Sequence, residues 1–198
     1  MKDLRGQEVM YIKKSDLEKI REFFLKKEKL VILSMINVGV NVALRISDLK
    51  NLKFEDIDGD WNIRIKERKT KKYKYIKLNS ICRKSITELK KFYISVGIIP
   101  TGYIFKSFNR SYLKKGLDKP LSTVSINRYL GVAKRELNIS YPIGTHSLRK
   151  TWGYFVYKRT KNLAIIMKIL NHSSISQTLK YIGIEQEDLN LIYENCKI

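Results

Sequence analysis

Hydrophobic positions recur along this chain with two periods, and together they divide it into helices and one ribbon. Leu17, Ile20, Phe23 and Phe24 fall at helical spacing around Ser15-Asp16-Leu17-Glu18, which has the form of a capping box, and predict a helix over about 16–28. The run 30–40 is apolar on nearly every face and predicts a second, buried helix; 45–49 opens a short third one with Ser47 as its cap. A different rhythm follows. Residues 61–67 and 73–78 alternate apolar with basic residues around Lys69-Thr70-Lys71-Lys72, the period-two pattern of a hairpin with one dry face. Helical periodicity returns over 80–96, Tyr103-Ile104-Phe105 suits a short third strand, and 106–119 has the character of an exposed basic loop. From Ser122 onward five helices are expected, at about 122–137, 145–158, 162–171, 174–182 and 186–196, set apart by Pro142, Gly144, Asn171 and Gly183. The fold class is therefore mainly α (α+β), a helical bundle with a small antiparallel β-ribbon or three-stranded sheet.

Composition narrows the class of partner. At 198 residues and 43% hydrophobic content the chain can bury a core as one domain or two small ones. Its 40 Lys and Arg against 19 Asp and Glu give a net charge of +21, far beyond what solubility requires, and self-repulsion on that scale implies a large polyanion as partner. Nucleic acid is the first candidate. Cys82 and Cys196 lack CxxC spacing, which suits free thiols in a reduced compartment. The most apolar stretch, 30–44, carries Ser34, Asn37 and Asn41 and ends at Arg45, short of the ~20 residues a membrane span needs. With Asp3, Arg5, Gln7 and Glu8 near its start, the chain has no signal-peptide pattern, so a cytoplasmic, nucleoid-associated protein with no membrane partner is expected.

Candidate chemistry concentrates late in the chain. Between Glu136 and Glu185 there is no carboxylate, yet the stretch holds both histidines, as His146-x-x-Arg149 and then Asn171-His172, followed by Tyr181. Two-metal hydrolysis would gather Asp and Glu there, because hard cations need oxygen ligands. Donors around a hydroxyl suit a phosphate instead, with the protein supplying the charge that steadies a developing dianion. No metal and no cofactor are expected.

In their order and wording these motifs resemble the catalytic domain of the tyrosine recombinases, the phage-integrase family. Ala43-Leu44-Arg45-Ile46-Ser47-Asp48-Leu49 is similar to the family's A-L-R-x-S-E-L, with Asp for Glu. Lys69-Thr70-Lys71-Lys72 ahead of Tyr75-Ile76-Lys77-Leu78 resembles the hairpin turn that carries a catalytic lysine, His146-Ser147-Leu148-Arg149-Lys150-Thr151 resembles H-x-L-R-H-T, and Leu170-Asn171-His172-Ser173-Ser174 resembles L-G-H-S-S. Thr178-Leu179-Lys180-Tyr181 matches the nucleophile box. Asn171 replaces the usual glycine and Lys150 stands where histidine is common; of all residues with a side chain, Asn best tolerates the left-handed backbone such a glycine provides.

The resemblance implies the following. Tyr181 attacks a DNA phosphate to form a 3′-phosphotyrosine, Arg45 and Arg149 grip its non-bridging oxygens, and His172 adds a hydrogen bond. His146 accepts or relays the tyrosine proton and Lys69 protonates the departing 5′ oxygen, with Lys71 and Lys72 as rival acids. Arg64, Lys66, Arg68, Lys71, Lys72, Lys74 and Lys150 are the expected DNA contacts. It further implies site-specific cleavage and rejoining of double-stranded DNA without metal or ATP, by a homotetramer on DNA that is a monomer or weak oligomer when free. The domain would cover 16–184, after an N-terminal extension over 1–15 and before a tail helix over 185–198 suited to exchange between subunits. A separate N-terminal DNA-binding domain is not found, so the chain is either a catalytic fragment or similar to the short family members such as the fimbrial phase-variation invertases. Two other readings stay open: a non-catalytic DNA-binding accessory protein that keeps the fold, and a type IB topoisomerase-like nicking and closing enzyme.

Overall fold

Leu30–Val42 is a run of 13 residues without one charged side chain, and it forms the buried helix α2 around which the other elements are arranged. The computed structural model describes residues 8–183, together with Asn190 and Glu194. The expected helix over 186–196, its exchange between subunits and the thiol of Cys196 therefore lie outside the described residues. Helices α1 (Lys14–Lys26), α4 (Ser80–Ser95) and α7 (Thr145–Thr160) pack on α2. Ile32, Met35, Ile36 and Val38 of α2 meet Ile20 and Phe24 of α1, Ile86, Leu89 and Tyr93 of α4 and Leu148 of α7 in one core. Each such side chain, fully buried, stabilises the fold by about 1.5–3 kcal/mol relative to exposure. Cys82, on α4, is a buried free thiol in that core.

The chain enters α1 one residue before the expected capping box. Lys13 is the N-cap and no side chain caps the helix. Tertiary bonds set this entry: Ile12 N donates to Thr151 Oγ1 at 2.8 Å and Lys13 N to Tyr141 Oη at 3.0 Å. Ser15 is thereby left inside the first turn. The same happens at α3 (Ile46–Leu49), which has Arg45 as its N-cap and Ser47 inside it. Between α2 and α3, Ala43 takes a left-handed conformation with φ 53° and ψ 28°, turning the chain sharply under the core.

A 3-10 turn at Phe54–Asp56 leads to the ribbon of β1 (Asn62–Lys66) and β2 (Tyr73–Lys77), which pair antiparallel with Arg64 opposite Tyr75, Ile65 opposite Lys74 and Lys66 opposite Tyr73. The third strand does not form. Tyr103 makes only an isolated bridge with Lys53, while Ile104 and Phe105 are driven into the core and Tyr93 Oη donates to the Ile104 carbonyl at 2.7 Å. Nor is 106–119 a uniformly exposed loop. It contains the short helix α5 (Arg110–Lys114), and Lys106 is 9% exposed because its ammonium binds Asp118 Oδ1 at 2.8 Å and the Thr101 carbonyl at 2.6 Å.

Four helices complete the fold: α6 (Thr123–Glu136), then α7, α8 (Leu163–Leu170) and α9 (Ile175–Ile182). The last two rest on α7 through a second, smaller cluster, in which Ala43, Ile166, Leu170 and Ile182 are buried and Trp152, Tyr157 and Tyr181 pack around them. Ala43 brings the corner before Arg45 into contact with the helix that carries Tyr181. No described helix is long and apolar enough to cross a membrane.

Candidate active site

Two corners and one ribbon converge on a single point. Arg45 is presented by the extended residue that caps α3, with φ −65° and ψ 148°, and its side chain is 17% exposed. Arg149 lies in the second turn of α7 and is 3% exposed, held by a 2.6 Å bond from Nη2 to the Leu170 carbonyl at the end of α8. Between them sits Glu67, 0% exposed, just after β1. Its Oε2 is 3.0 Å from Arg45 Nη1 and its Oε1 is 3.9 Å from Arg149 Nη1. The same carboxylate accepts from Thr70 Oγ1 and from Asn171 Nδ2, both at 2.7 Å. Burial alone would raise the Glu67 carboxyl, but these hydrogen bonds and the charges of Arg45 and Lys74 outweigh it and hold the group below the usual carboxylate range.

The histidines and the tyrosine line the same point from α7, α8 and α9. Asn171 ends α8 in the left-handed region, with φ 50° and ψ 46°, and this turn sends His172 back over the site. His172 Nδ1 is 3.0 Å from Thr178 Oγ1, and its ring meets that of Tyr181 edge-on at 5.0 Å between centroids. Burial, and then Arg149 and Arg45, lower its pKa to about 4, so it is neutral at pH 7. Burial pushes the Tyr181 phenol up to about 12, against the pull of Arg149 and Arg45. His146, one helical turn before Arg149, stands at the mouth of the site. Partial desolvation and then Arg149, Lys150, Arg45 and Lys69 hold its imidazole below the ordinary range.

Among the described residues, five buried side-chain polar atoms have no hydrogen-bond partner within the protein: Arg45 Nη1, Asp48 Oδ2, Glu67 Oε1, Arg149 Nη1 and Tyr181 Oη. All five belong to this cluster. An unpaired buried polar group costs about 1–3 kcal/mol, and folded proteins keep such groups where a ligand will use them. The structure thus brings Arg45, Arg149, His172 and Tyr181 together and sets His146 and Lys69 at the rim, Lys69 being exposed in the hairpin turn.

The expected DNA contacts divide. Arg64 and Lys66 are exposed on the outer face of the ribbon, over the rings of Tyr73 and Tyr75, and Arg68, Lys71 and Lys72 are exposed around its turn. Lys150 is not on the surface. Its side chain is 8% exposed, pairs with Glu8 at 2.6 Å and lies 5.4 Å over the Tyr181 ring, so it packs behind Tyr181. Lys74 also faces inward, with Nζ 2.8 Å from the Ile169 carbonyl and 3.3 Å from that of Ala43. Burial and the nearby Arg149 lower its pKa to about 8. Two acids also belong to the cluster and correct the picture of a site made of donors only. They are Glu67 and Asp48, the latter accepting from Arg68 N at 3.0 Å. Glu67 is missing from the sequence-based expectations; the signal that could have found it is the alternation Ile63, Ile65, Glu67, which continues the dry face of the ribbon.

The family model described as the phage integrase family matches residues 10–187. The chain belongs to the phage integrase family. Among its relatives in that family, the probable integrase/recombinase YoeC of Bacillus subtilis is 34% identical over 178 residues, which are 90% of this chain and 91% of YoeC. The tyrosine recombinase XerC of Staphylococcus carnosus is 23% identical over 78% of this chain and 49% of its own length, and a probable integrase/recombinase of Acholeplasma phage L2 is 28% identical over 79% and 50%. The chain therefore spans about half the length of these two relatives. Its fold is that of the solved XerA recombinase, at a TM-score of 0.75 and 19% identity over 98% of this chain and 66% of XerA. It is likewise that of a lambda integrase dimer bound to a COC′ core site, at a TM-score of 0.70 and 18% identity over 92% and 62%. The family's enzymes are tyrosine-type site-specific recombinases with a covalent phosphotyrosine mechanism.

Proposed function

We propose that this chain is a site-specific DNA recombinase that cuts one strand with Tyr181, holds it as a 3′-phosphotyrosine and passes it to a new 5′ hydroxyl. The observation that carries the reading is the buried Tyr181 hydroxyl beside Arg149 and Arg45, two arginines drawn from opposite halves of the chain. Arg45 and Arg149 offer planar donors to the non-bridging oxygens, and His172, neutral at pH 7, donates a further hydrogen bond from Nε2 in the tautomer whose Nδ1 accepts from Thr178 Oγ1. As the tyrosine oxygen bonds to phosphorus, its proton passes to His146, whose lowered pKa keeps it in the accepting form. Lys69 gives a proton to the leaving 5′ oxygen, and reversal of these transfers rejoins the strand. Because the phosphotyrosine keeps the energy of the broken bond, no nucleotide is consumed. Double-stranded DNA carrying a recombination site is the substrate, and a tetramer of this chain on two such sites is the working assembly.

The test is incubation with a nicked suicide substrate bearing the chain's own site, in chelator, followed by a denaturing gel. A covalent adduct that disappears in Tyr181→Phe supports the reading. Intact DNA binding with no adduct on a verified site removes it.

A further inference from the structure

Glu67 is a carboxylate in a place where the reaction wants none. The transition state carries a developing dianion, and a fixed negative charge between the two arginines would cancel part of what they supply. Yet Glu67 is fully buried there, 3.0 Å from Arg45 Nη1 and 3.9 Å from Arg149 Nη1. A carboxylate and a phosphate present the same pair of oxygens to a guanidinium. Glu67 thus fills, in the free chain, the seat that the proposed function gives to the non-bridging phosphate oxygens.

The seating is open toward Arg149 and firm toward the ribbon turn and the end of α8. Arg45 Nη1 lies 3.0 Å from Oε2, but Arg149 Nη1 and Glu67 Oε1 stand 3.9 Å apart, buried and without a hydrogen-bond partner, so that side leaves donor and acceptor capacity unused. The firm contacts are those from Thr70 Oγ1 and Asn171 Nδ2, both at 2.7 Å. Thr70 adjoins Lys69, and the Glu67 backbone closes the same turn, with its N–H on the Lys72 carbonyl and its carbonyl on the Lys71 N–H, each at 2.9 Å. A change at the Glu67 carboxylate is therefore felt at the turn that carries Lys69. Other tasks for this acid do not fit its surroundings. Among the described residues no three His, Cys, Asp or Glu side chains gather as a metal cluster. Its neighbours hold it ionised, so it has no proton to give.

We propose that Glu67 is a positioning residue that occupies the phosphate seat between Arg45 and Arg149 in the DNA-free chain and yields it to the scissile phosphate, releasing Thr70 and with it the Lys69 turn. This rests on the reading of the seat given under Proposed function. It makes anion binding weaker than the two arginines alone would allow, and it couples arrival of the phosphate to freedom of the general acid.

Inorganic sulfate is the probe, titrated into the full chain by calorimetry at constant ionic strength. Since an occupied seat reduces apparent affinity by the fraction of time it is free, Glu67→Gln should bind sulfate about tenfold or more tightly than the parent. The double variant Glu67→Gln with Arg45→Ala should lose that gain. A cooperatively folded Glu67→Gln that binds sulfate no better than the parent overturns the proposal. Should the glutamine variant not fold, the carboxyl-carbon resonance of Glu67 in labelled parent protein answers the same question. Saturating sulfate must shift it, and an unmoved resonance overturns the proposal. Sulfate replaces DNA throughout, so a missing phosphotyrosine adduct would count against recombination alone and leave this result in force.

Discussion

His172 shows how burial sets a protonation state, and the proposed reaction draws on it. Its folded pKa of about 4 lies below the ordinary 6.5, so between those values the unfolded chain binds a proton that the folded chain refuses. Stability contributed by the neutral ring is therefore complete above pH 6.5 and falls as pH drops through that window. Thermal unfolding followed from pH 7 to pH 4 should show the decline, and His172→Asn should flatten it. At this scale the motifs made most of the site legible: Arg45, Arg149, His172 and Tyr181 converge although 136 positions separate the first from the last. Asn171 takes the left-handed backbone expected of a residue standing in for glycine. Glu67 stayed hidden because a lone acid among eight basic residues from Arg64 to Lys77 has the look of a solvated charge run. Lys150 misled for the opposite reason: a cation beside Arg149 suggests phosphate, but its ammonium pairs with Glu8.

The helices were legible because a 3.6-residue apolar stripe survives whatever packs on it, and 30–42, 80–95 and 123–136 form within a few residues of expectation. Short elements were not. The third strand and the Ser15 cap gave way to tertiary bonds to Tyr93, Thr151 and Tyr141 that no local pattern announces, and the Ser47 cap was displaced when α3 began one residue earlier, at Ile46. The spacing of the two arginines is itself an element-level property. Gly39 of α2 lies where an added Cβ would come within 2.9 Å of both Leu148 Cδ1 and Leu49 Cδ2. Leu148 precedes Arg149 and Leu49 closes the helix that Arg45 caps, so the missing side chain lets α3 and α7 approach α2 together. Gly39→Val should lower stability by about 1–3 kcal/mol through overpacking. In chemical denaturation this appears as a reduced midpoint. Adduct formation at a temperature where the variant is still folded should fall further than the folded fraction does, because the arginines are pushed apart.

Over the whole molecule, the charge of +21 outweighs any single contact. DNA binding by this chain should be dominated by counterion release, losing about 10³–10⁵ in affinity between roughly 50 and 200 mM salt if 6–10 phosphates are engaged. A titration of labelled duplex across that range checks it, and a nearly flat response would mean that few of the 40 cations touch phosphate. The site also has a consequence for how the protein is made. Asn171 reaches Glu67 across 104 positions, Lys74 reaches Ile169 across 95, and Lys150 reaches Glu8 across 142. Closing loops of that length comes late in folding. The corner bearing Arg45 and the basic ribbon precede the helix bearing Tyr181 in sequence, and contacts of this range join them. A chain folded only in part therefore holds no complete pocket, because its walls come from segments that meet last.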